Sequence, residues 1–235
     1  MTKLISVSRT ETGRVRASNE DATLSGDRMV AVADGIGGAP GGEVASAAAV
    51  AFLEAAFTGR SLDELAAVVR AANWAIWDRA TGNPEFAGMG TTVCVGGLIG
   101  DGHLGVVNVG DSRAYLARNG SVRLMTRDHS VTAELVRRGE LSEAEALAHP
   151  HRRVLTRALG VGPDVEVDAA VHEVIEGDRL LLCSDGLFNE VSDEEISTSM
   201  LTGVGAEATV DHLVERALAG GGRDNISVVV ADVVA

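Results

Sequence analysis

Five aspartates that are far apart in the chain each stand beside an apolar segment and within a short polar or glycine-rich motif. The motifs are RASNED, VADGIGG, VGDSR, CSDGL and GRDNI, and the aspartates are Asp21, Asp34, Asp111, Asp185 and Asp224. Acidic side chains are rarely buried unless they are paired or bind a metal. A fold that gathers several carboxylates at the ends of its strands would form a site for hard cations, so metal-dependent chemistry is the leading hypothesis.

Three residues close to these aspartates could take part in the same chemistry. Glu20 is adjacent to Asp21, and neighbours in a strand point to opposite faces, so one would bind a cation directly and the other through water. The planar fork of Arg16 could bind a phosphoryl group. The glycines after Asp34 would let the carbonyl of Gly35 turn toward a cation. Taken alone, each motif is more typical of a salt bridge or a tight turn, and their joint occurrence is what favours a site.

The sequence gives little support for a catalytic serine nucleophile. It gives equally little support for a metal site built from histidines. Ser112 follows Asp111, but neither a GxSxG motif nor a positioned histidine surrounds it. Asp111 is therefore interpreted as an outer metal ligand, with a carboxylate-capped hairpin turn as the alternative. No histidine pair has HExxH spacing. His129, His149 and His151 could act as acid or base, although solvated roles are expected for them.

The composition is that of a globular chain with a large core. Its 235 residues are 46% hydrophobic and 23% charged, which predicts one domain or at most two small ones. The formal net charge of −14 argues against binding to nucleic acid or to an anionic membrane. No apolar run reaches the ~20 residues needed to cross a membrane, and the N-terminus lacks the apolar segment of a signal peptide. We expect a cytoplasmic protein, or a cytoplasmic domain of a longer membrane protein, in which Cys94 and Cys183 are buried free thiols.

The hydrophobic pattern predicts both strands and helices. Runs rich in Val, Leu and Ile predict strands at 29–33, 91–99, 103–109, 113–117, 179–183 and 226–233. Asn119 and Gly120 predict a tight hairpin turn. Amphipathic periodicity, capping-box spacing and a terminal glycine run predict helices at 43–57, 62–80, 193–200 and 206–219. Strands that pair locally and helices that come in pairs indicate the α+β class.

The segment 128–160 has a different character from the rest of the chain. It contains a short predicted helix that ends at Gly139, a second helix start at Ser142, and a basic run around Arg153. Because it carries few apolar residues, we interpret it as a lid-like insertion over a site. An ordinary solvated surface segment is an equally good interpretation of the pattern.

In order along the chain, the motifs resemble those of the metal-dependent serine/threonine protein phosphatases of the type-2C family, in their bacterial form. The matching elements are TETGRVRASNED, VADGIGG, GMGTT, VGDSRAYL, RDHS, LTRALG, LLLCSDGLF and GGRDNISVVV. They extend over almost the whole chain. The resemblance implies a four-layer αββα sandwich, in which two central antiparallel β-sheets are flanked by pairs of helices. It also implies a single catalytic domain over residues 1–235, with the family's flap at about 128–160.

The resemblance also implies roles for individual residues. Two core ions, Mn²⁺ or Mg²⁺, would be held by Asp21, Asp34, the carbonyl of Gly35, Asp185 and Asp224. Asp111, together with Asp185, would hold a weaker third ion. Glu20 would hold a metal-bound water, and Arg16 would bind the substrate phosphate.

The activity implied by the resemblance is hydrolysis of phosphoserine and phosphothreonine in proteins. A metal-activated water would attack phosphorus directly, without a phosphoenzyme. Expected partners are phosphoprotein substrates, with Ser/Thr kinases among them, and the expected state is a monomer that reverses bacterial kinase signalling. Some eukaryotic members have a histidine where this chain has Ile36, so water on the third ion or a flap histidine would have to protonate the leaving group.

Two other functions are compatible with a carboxylate-rich site. A metal-dependent phosphodiesterase or nuclease would use the same two-metal arrangement, but the net charge of −14 argues against a polynucleotide substrate. A non-catalytic phosphoprotein-binding module on the same fold would be expected to have lost a metal carboxylate. Every one of those carboxylates is present in this chain, which favours the enzyme.

Overall fold

Two antiparallel β-sheets form the centre of the molecule. The computed structural model describes residues 1–38, 40–100 and 102–235, and these residues contain ten strands. The strands are β1 (Lys3–Glu11), β2 (Asp21–Ser25), β3 (Met29–Asp34), β4 (Val93–Leu98), β5 (His103–Val109), β6 (Arg113–Arg118), β7 (Ser121–Leu124), β8 (Asp168–Glu173), β9 (Arg179–Cys183) and β10 (Ile226–Val234). Sheet A has the order β1-β10-β9-β6-β7, and sheet B has the order β2-β3-β4-β5-β8.

The described residues also form seven helices, and two pairs of these cover the outer faces of the sheets. They are α1 (Gly42–Ala56), α2 (Leu62–Gly82), α3 (Val131–Arg137), α4 (Glu143–Ala148), α5 (Asp185–Phe188), α6 (Asp193–Leu201) and α7 (Ala206–Gly220), with a 3₁₀ turn at Pro84–Phe86. The pair α1 and α2 packs on sheet B, and the pair α6 and α7 packs on sheet A. The predicted α+β class and the four-layer αββα sandwich are confirmed.

The apolar side chains divide into three layers that explain the sequence pattern. In β10, Val228 and Val230 face the helices on sheet A, while Val229 and Ala231 face sheet B. A strand that is covered on both faces needs apolar residues at every position, so it reads as a continuous hydrophobic run. Cys94 and Cys183 are buried and free, as predicted.

The six predicted strands are the central strands of the two sheets, and the prediction missed all four edge strands. β1 and β7 are the edges of sheet A, and β2 and β8 are the edges of sheet B. Edge strands are partly exposed, as in β8, where four of six residues are exposed. Polar residues therefore interrupt their hydrophobic pattern, and their pairing partners lie far away in sequence. The predicted helices are confirmed to within one or two residues at each end.

The local turn and cap signals in the sequence were also accurate. Asn119 and Gly120 both have positive φ, 50° and 77°, as a tight hairpin turn between β6 and β7 requires. Ser142 and Ser192 form complete capping boxes with Glu145 and Glu195. Within the segment 128–160, α3 ends before Gly139, which has a φ of 73°.

A hydrogen-bonded ion pair joins the two sheets at the end opposite Asp111. Arg118, at the end of β6 in sheet A, donates from Nε to Oδ1 of Asp178 at 2.8 Å and from Nη2 to Oδ2 at 2.5 Å. The same Nη2 donates to the carbonyl of Glu173 in sheet B at 2.9 Å. Asp178 is only 1% exposed.

No helix in the described part of the chain is long and apolar enough to cross a membrane.

We expect Asp178→Ala to lower the free energy of unfolding by about 2–3 kcal/mol, because it leaves Arg118 and the amide of Ile175 without their carboxylate. Asp211→Ala is the matched control, since it removes an exposed ion pair with Arg9 and should cost less than about 1 kcal/mol. Urea unfolding followed by circular dichroism measures both. Equal costs for the two substitutions would contradict a structural role for the Asp178 network.

Candidate active site

The predicted site residues come together at one end of the sandwich. A pocket of about 380 Å³ is lined by Arg16, Asp34, Gly35, Ile36, Gly37, Thr92, Asp111, Arg153, Val154, Leu155, Asp185 and Asp224. The four aspartates in this list stand at the end of β3, just after β5, at the start of α5 and just before β10. Asp21 and Glu20 lie beside this pocket, in contact with its residues. Elements from both sheets therefore contribute carboxylates to one small volume.

Asp21 and Asp34 are forced together by strand pairing. They are directly opposite each other in the register of β2 and β3, where like charges are destabilising. Ser184, the residue before Asp185, donates from Oγ to Oδ2 of Asp21 at 2.8 Å. Oδ1 of Asp21 is buried and has no hydrogen-bond partner. This unpartnered oxygen is a donor atom that a cation could use.

The clustered carboxylates have raised pKa values. Burial raises the pKa of Asp21 to about 6, although hydrogen bonds from Ser227 and Ser184 oppose the shift. Burial and then the charge of Asp21 raise the pKa of Asp34 well above its usual range. Both raised pKa values indicate that the two carboxylates lie where a negative charge is poorly solvated.

The other side of the pocket has the same electrostatics. Burial, followed by the charge of Asp224, raises the pKa of Asp185 to about 6. Burial and the charges of Asp185 and Asp128 raise the pKa of Asp111 well above its usual range. Burial and neighbouring negative charges thus disfavour the ionised form of all four carboxylates. A divalent cation would offset the repulsion among them.

Two arginines contact the fifth aspartate. Arg16 binds Asp224 side-on, with Nε 2.9 Å from Oδ1 and Nη2 3.0 Å from Oδ2. Arg153, from the segment 128–160, reaches the same Oδ2 at 3.3 Å. Nη1 of Arg16 also lies 3.8 Å from Oε2 of Glu20. The predicted phosphate-binding arginine is therefore at the pocket, together with a second arginine that the sequence analysis did not select.

The residues present fit hard divalent cations. Across residues 1–38, 40–100 and 102–235, no three acidic, His or Cys side chains already converge as a metal cage. In this structure Asp224 contacts two arginines and Asp21 contacts Ser184. The donor set nevertheless consists of oxygens, carries a large excess of negative charge and includes the orphaned oxygen of Asp21, as Mg²⁺ or Mn²⁺ requires.

The backbone at Gly35 is held too tightly for any side chain. A Cβ at this position would lie 2.5 Å from the carbonyl oxygens of both Glu20 and Gly42. The amide of Gly35 donates to the Glu20 carbonyl at 3.1 Å. This close approach fixes the main chain directly after Asp34, where the sequence predicted a backbone ligand.

The rejected and alternative catalytic residues do not line the pocket. Ser112 is fully buried and shares a 2.8 Å hydrogen bond with the hydroxyl of Thr92. His129 is 2% exposed, so the expectation that it is solvated was wrong. Its Nδ1 accepts from the amide of Gly110 at 3.1 Å, and its Nε2 lies 3.3 Å from Asp168. His129, His149 and His151 are all absent from the lining of the pocket.

Several buried polar residues that position the site were missed by sequence analysis. Asn225 accepts from the amide of Glu20 and donates to the carbonyls of Thr12 and Ser18, each at 2.9 Å. It joins the loop of Arg16 to the start of β10. The motif RDN placed Asn225 beside Asp224, but hydrogen bonds across more than 200 residues leave no local signal.

The loop after Asp34 is fixed by a second set of buried hydroxyls. Thr92 accepts from the amide of Asp34 at 3.0 Å, and Thr91 donates to the carbonyl of Asp34 at 2.9 Å. Ser46, on α1, donates to the carbonyl of Glu20 at 2.6 Å. All three hydroxyl residues are buried. These bonds hold the backbone of the carboxylates while leaving their side-chain oxygens available.

Comparison with known proteins identifies the fold and the motifs. The family model described as protein phosphatase 2C matches residues 12–219. The serine/threonine protein phosphatase PstP of Mycobacterium tuberculosis is 45% identical over 230 residues, which are 96% of this chain and 44% of that protein. The serine/threonine phosphatase stp of Listeria welshimeri is 37% identical over 242 residues, which cover 95% of this chain and 94% of that protein.

A solved structure shares the whole fold. The crystal structure of the catalytic domain of the serine threonine protein phosphatase PstP, in complex with two manganese ions, matches with a TM-score of 0.91. It is 40% identical and covers 100% of both chains.

This chain belongs to the protein phosphatase 2C family. The family and fold class predicted from the sequence are thereby confirmed. The chain spans less than half the length of the M. tuberculosis relative.

We expect Asn225→Ala to reduce phosphatase turnover by at least about tenfold, because residues that orient metal ligands typically matter by that factor. Asn225→Asp tests the same point more sharply, since a carboxylate cannot donate to the carbonyls of Thr12 and Ser18. Asn83→Ala, which removes a side-chain oxygen that accepts from the amide of Glu85 away from the pocket, is the matched control and should keep turnover. Steady-state kinetics with circular dichroism separates lost activity from lost folding, and unchanged turnover in a folded Asn225→Asp variant would contradict this role.

The raised pKa of Asp185 predicts the pH dependence of the chelator-treated protein. Its folded pKa of about 6 is above the ordinary value of 3.8, so the folded state binds the proton more tightly. The resulting stability is fully present below pH 4 and is lost as the pH rises through 6. This loss is on the order of 2–3 kcal/mol.

We therefore expect Asp185→Asn to remove part of the fall in unfolding free energy between pH 4.5 and pH 7. Asp164→Asn, at an exposed position, should retain the full fall. Urea unfolding of both variants in EDTA at the two pH values measures the difference. An identical pH dependence in the two variants would show that Asp185 does not carry the predicted repulsion.

Proposed function

We propose that this chain hydrolyses phosphoserine and phosphothreonine in proteins with two Mn²⁺ or Mg²⁺ ions in the carboxylate pocket. The observation that carries the proposal is the convergence of buried, mutually repelling aspartates from separate strand ends on one pocket. A chain that keeps such a destabilising cluster requires compensating positive charge. PstP, whose catalytic domain was crystallised with two manganese ions, supports this choice of metal.

We assign the core ions to Asp21, Asp34, the carbonyl of Gly35, Asp185 and Asp224. Asp111, which shares the pocket with Asp185, completes a weaker third site. We assign Glu20 the role of holding a metal-bound water, and the position of its carboxylate 3.8 Å from Nη1 of Arg16 supports this role.

When bound, the ions supply Lewis acidity, which lowers the pKa of a water and neutralises phosphoryl oxygens. The protein's own residues then orient the substrate. Arg16 presents its guanidinium to the phosphate, and Asp224 and Glu20 fix its direction. Ser112 is buried in a hydrogen bond with Thr92, so the reaction has no protein nucleophile there and needs no phosphoenzyme.

Phosphate esters of proteins are favoured over the two alternatives. The carboxylates required for metal binding are all at the site, which argues against a module that only binds phosphoproteins. Polynucleotide hydrolysis remains disfavoured by the net charge of −14. Hydrolysis of bis-p-nitrophenyl phosphate without hydrolysis of p-nitrophenyl phosphate would favour a diesterase instead.

The proposed partners are phosphoproteins, with Ser/Thr kinases among them. The relatives named as serine/threonine phosphatases support this class of substrate. We also propose that residues 1–235 act as a single monomeric catalytic domain and that 128–160 is its flap. Arg153, Val154 and Leu155 of that segment line the pocket, which supports a position beside the substrate.

The proposal is tested by phosphate release from a phosphothreonine peptide after EDTA treatment, with Mn²⁺ or Mg²⁺ then added back. We expect no release in EDTA, recovery with metal, and a loss of ~100-fold or more in Asp224→Ala, which removes a proposed ligand. Asp27→Ala, at an exposed position, controls for the substitution itself. A folded protein that releases no phosphate with either metal would refute the proposed activity.

A further inference from the structure

A second cavity lies beside the catalytic pocket and has a different chemistry. Its volume is about 480 Å³, and none of its lining residues is charged. Trp77 and Ala80 of α2 form one wall, Pro84 and Ala87 form another, and Val161 closes it on the side of the flap. An uncharged cavity of this size suits an apolar side chain.

A thin wall separates this cavity from the catalytic pocket. Ile36 lines the catalytic pocket and Val161 lines the second cavity. A Cβ placed on Gly90 would lie 2.9 Å from Cδ1 of Ile36 and 3.3 Å from Cγ2 of Val161. Both side chains therefore lie close to Gly90, which has no room for a side chain of its own.

The walls of the second cavity are fixed in place. Asn73, which is 1% exposed, accepts from the amide of Gly160 at 2.9 Å and donates to the carbonyls of Gly162 and Pro163 at 3.0 and 3.1 Å. The guanidinium of Arg79 lies 4.8 Å from the ring centre of Phe86, beside Pro84. A preformed apolar cavity loses little conformational entropy when it binds a ligand.

Apolar surface continues outside the cavity. Val161 is 66% exposed and Trp74 is 54% exposed. Trp74 and Trp77 are three residues apart on α2 and are neighbours on the helix surface. Aromatic side chains on a surface are typical of sites that bind a protein segment.

We propose that this cavity binds an apolar side chain of the phosphoprotein substrate, near the phosphorylated residue. The inference rests on the proposed function, because it needs the phosphate in the catalytic pocket. The wall between the two sites is a pair of side chains, and an extended chain rises about 3.3 Å per residue. The apolar residue is therefore two to four positions from the phosphothreonine.

The test compares phosphothreonine peptides in which one position, two to four residues before or after the phosphothreonine, is either Leu or Asp. We expect wild-type protein to prefer Leu over Asp by about tenfold in kcat/KM at one position, mainly through KM. Val161→Asp should abolish this preference, and Ala87→Asp on the opposite wall should do the same. Both positions are exposed, so neither substitution should prevent folding.

The control variant is Val204→Asp, which places the same substitution at an exposed valine before α7, and it should keep the preference. Turnover of p-nitrophenyl phosphate, which cannot reach the cavity, should be unchanged in all variants. Equal kcat/KM for all peptides in the wild type, or a preference that survives in both cavity variants, would overturn the inference. The inference would also be overturned if the wild-type protein formed a dimer that the Val161→Asp substitution dissociates, because the cavity would then bind a second copy of the chain.

The failure of the proposed function would look different. Wild-type protein would then release no phosphate from any peptide or from p-nitrophenyl phosphate with added metal, and the inference would be overturned with it. Turnover of p-nitrophenyl phosphate without any peptide preference would leave the phosphatase intact and overturn only the apolar subsite.

Discussion

Repulsion among buried carboxylates is the constraint on which the rest of this structure depends. Strand pairing puts Asp21 opposite Asp34, and the burial that raises the pKa of both also raises that of Asp185. Such a cluster opposes folding unless the surrounding framework is stable enough to hold it. The fully buried central strands and the long-range hydrogen bonds of Asn225 supply that framework. Cations at the site would then add stability that the apolar core does not need to provide.

The sequence predicted the site better than it predicted the complete sheets, and one physical cause explains both results. Asp34, Asp185 and Asp224 adjoin central strands, whose two covered faces require uninterrupted apolar runs. A carboxylate at the end of such a run is conspicuous. Asp21 begins β2, an edge strand with no fully buried residue, and that strand was not predicted. Asp21 itself was found through the motif around it.

The supporting interactions could not be predicted because they join distant parts of the chain. Asn225 contacts Thr12 and Ser18, and Ser184 contacts Asp21, across 163 or more positions. Short polar residues of this kind are equally common in turns, so their type carries no information about a partner. His129 shows the same limit, since its burial depends on Gly110 and Asp168 closing over it. A polar neighbourhood in sequence was therefore a poor guide to its exposure.

Under the proposed function, chemistry and substrate choice would depend on different parts of this fold. The carboxylates stand on strand ends whose backbone is fixed from both sheets, so their positions cannot change without disturbing the core. The walls beside them include Arg153, Val154 and Leu155 of the segment 128–160. The walls of the neighbouring second cavity come from α2, from residues 84–88 and from residues 160–161. Substitutions at exposed wall residues such as Val161 cost little stability. In the proposed function, this carboxylate framework would serve different phosphoproteins as the walls vary. At a net charge of −14, the arginines of the pocket would supply the local attraction for phosphate.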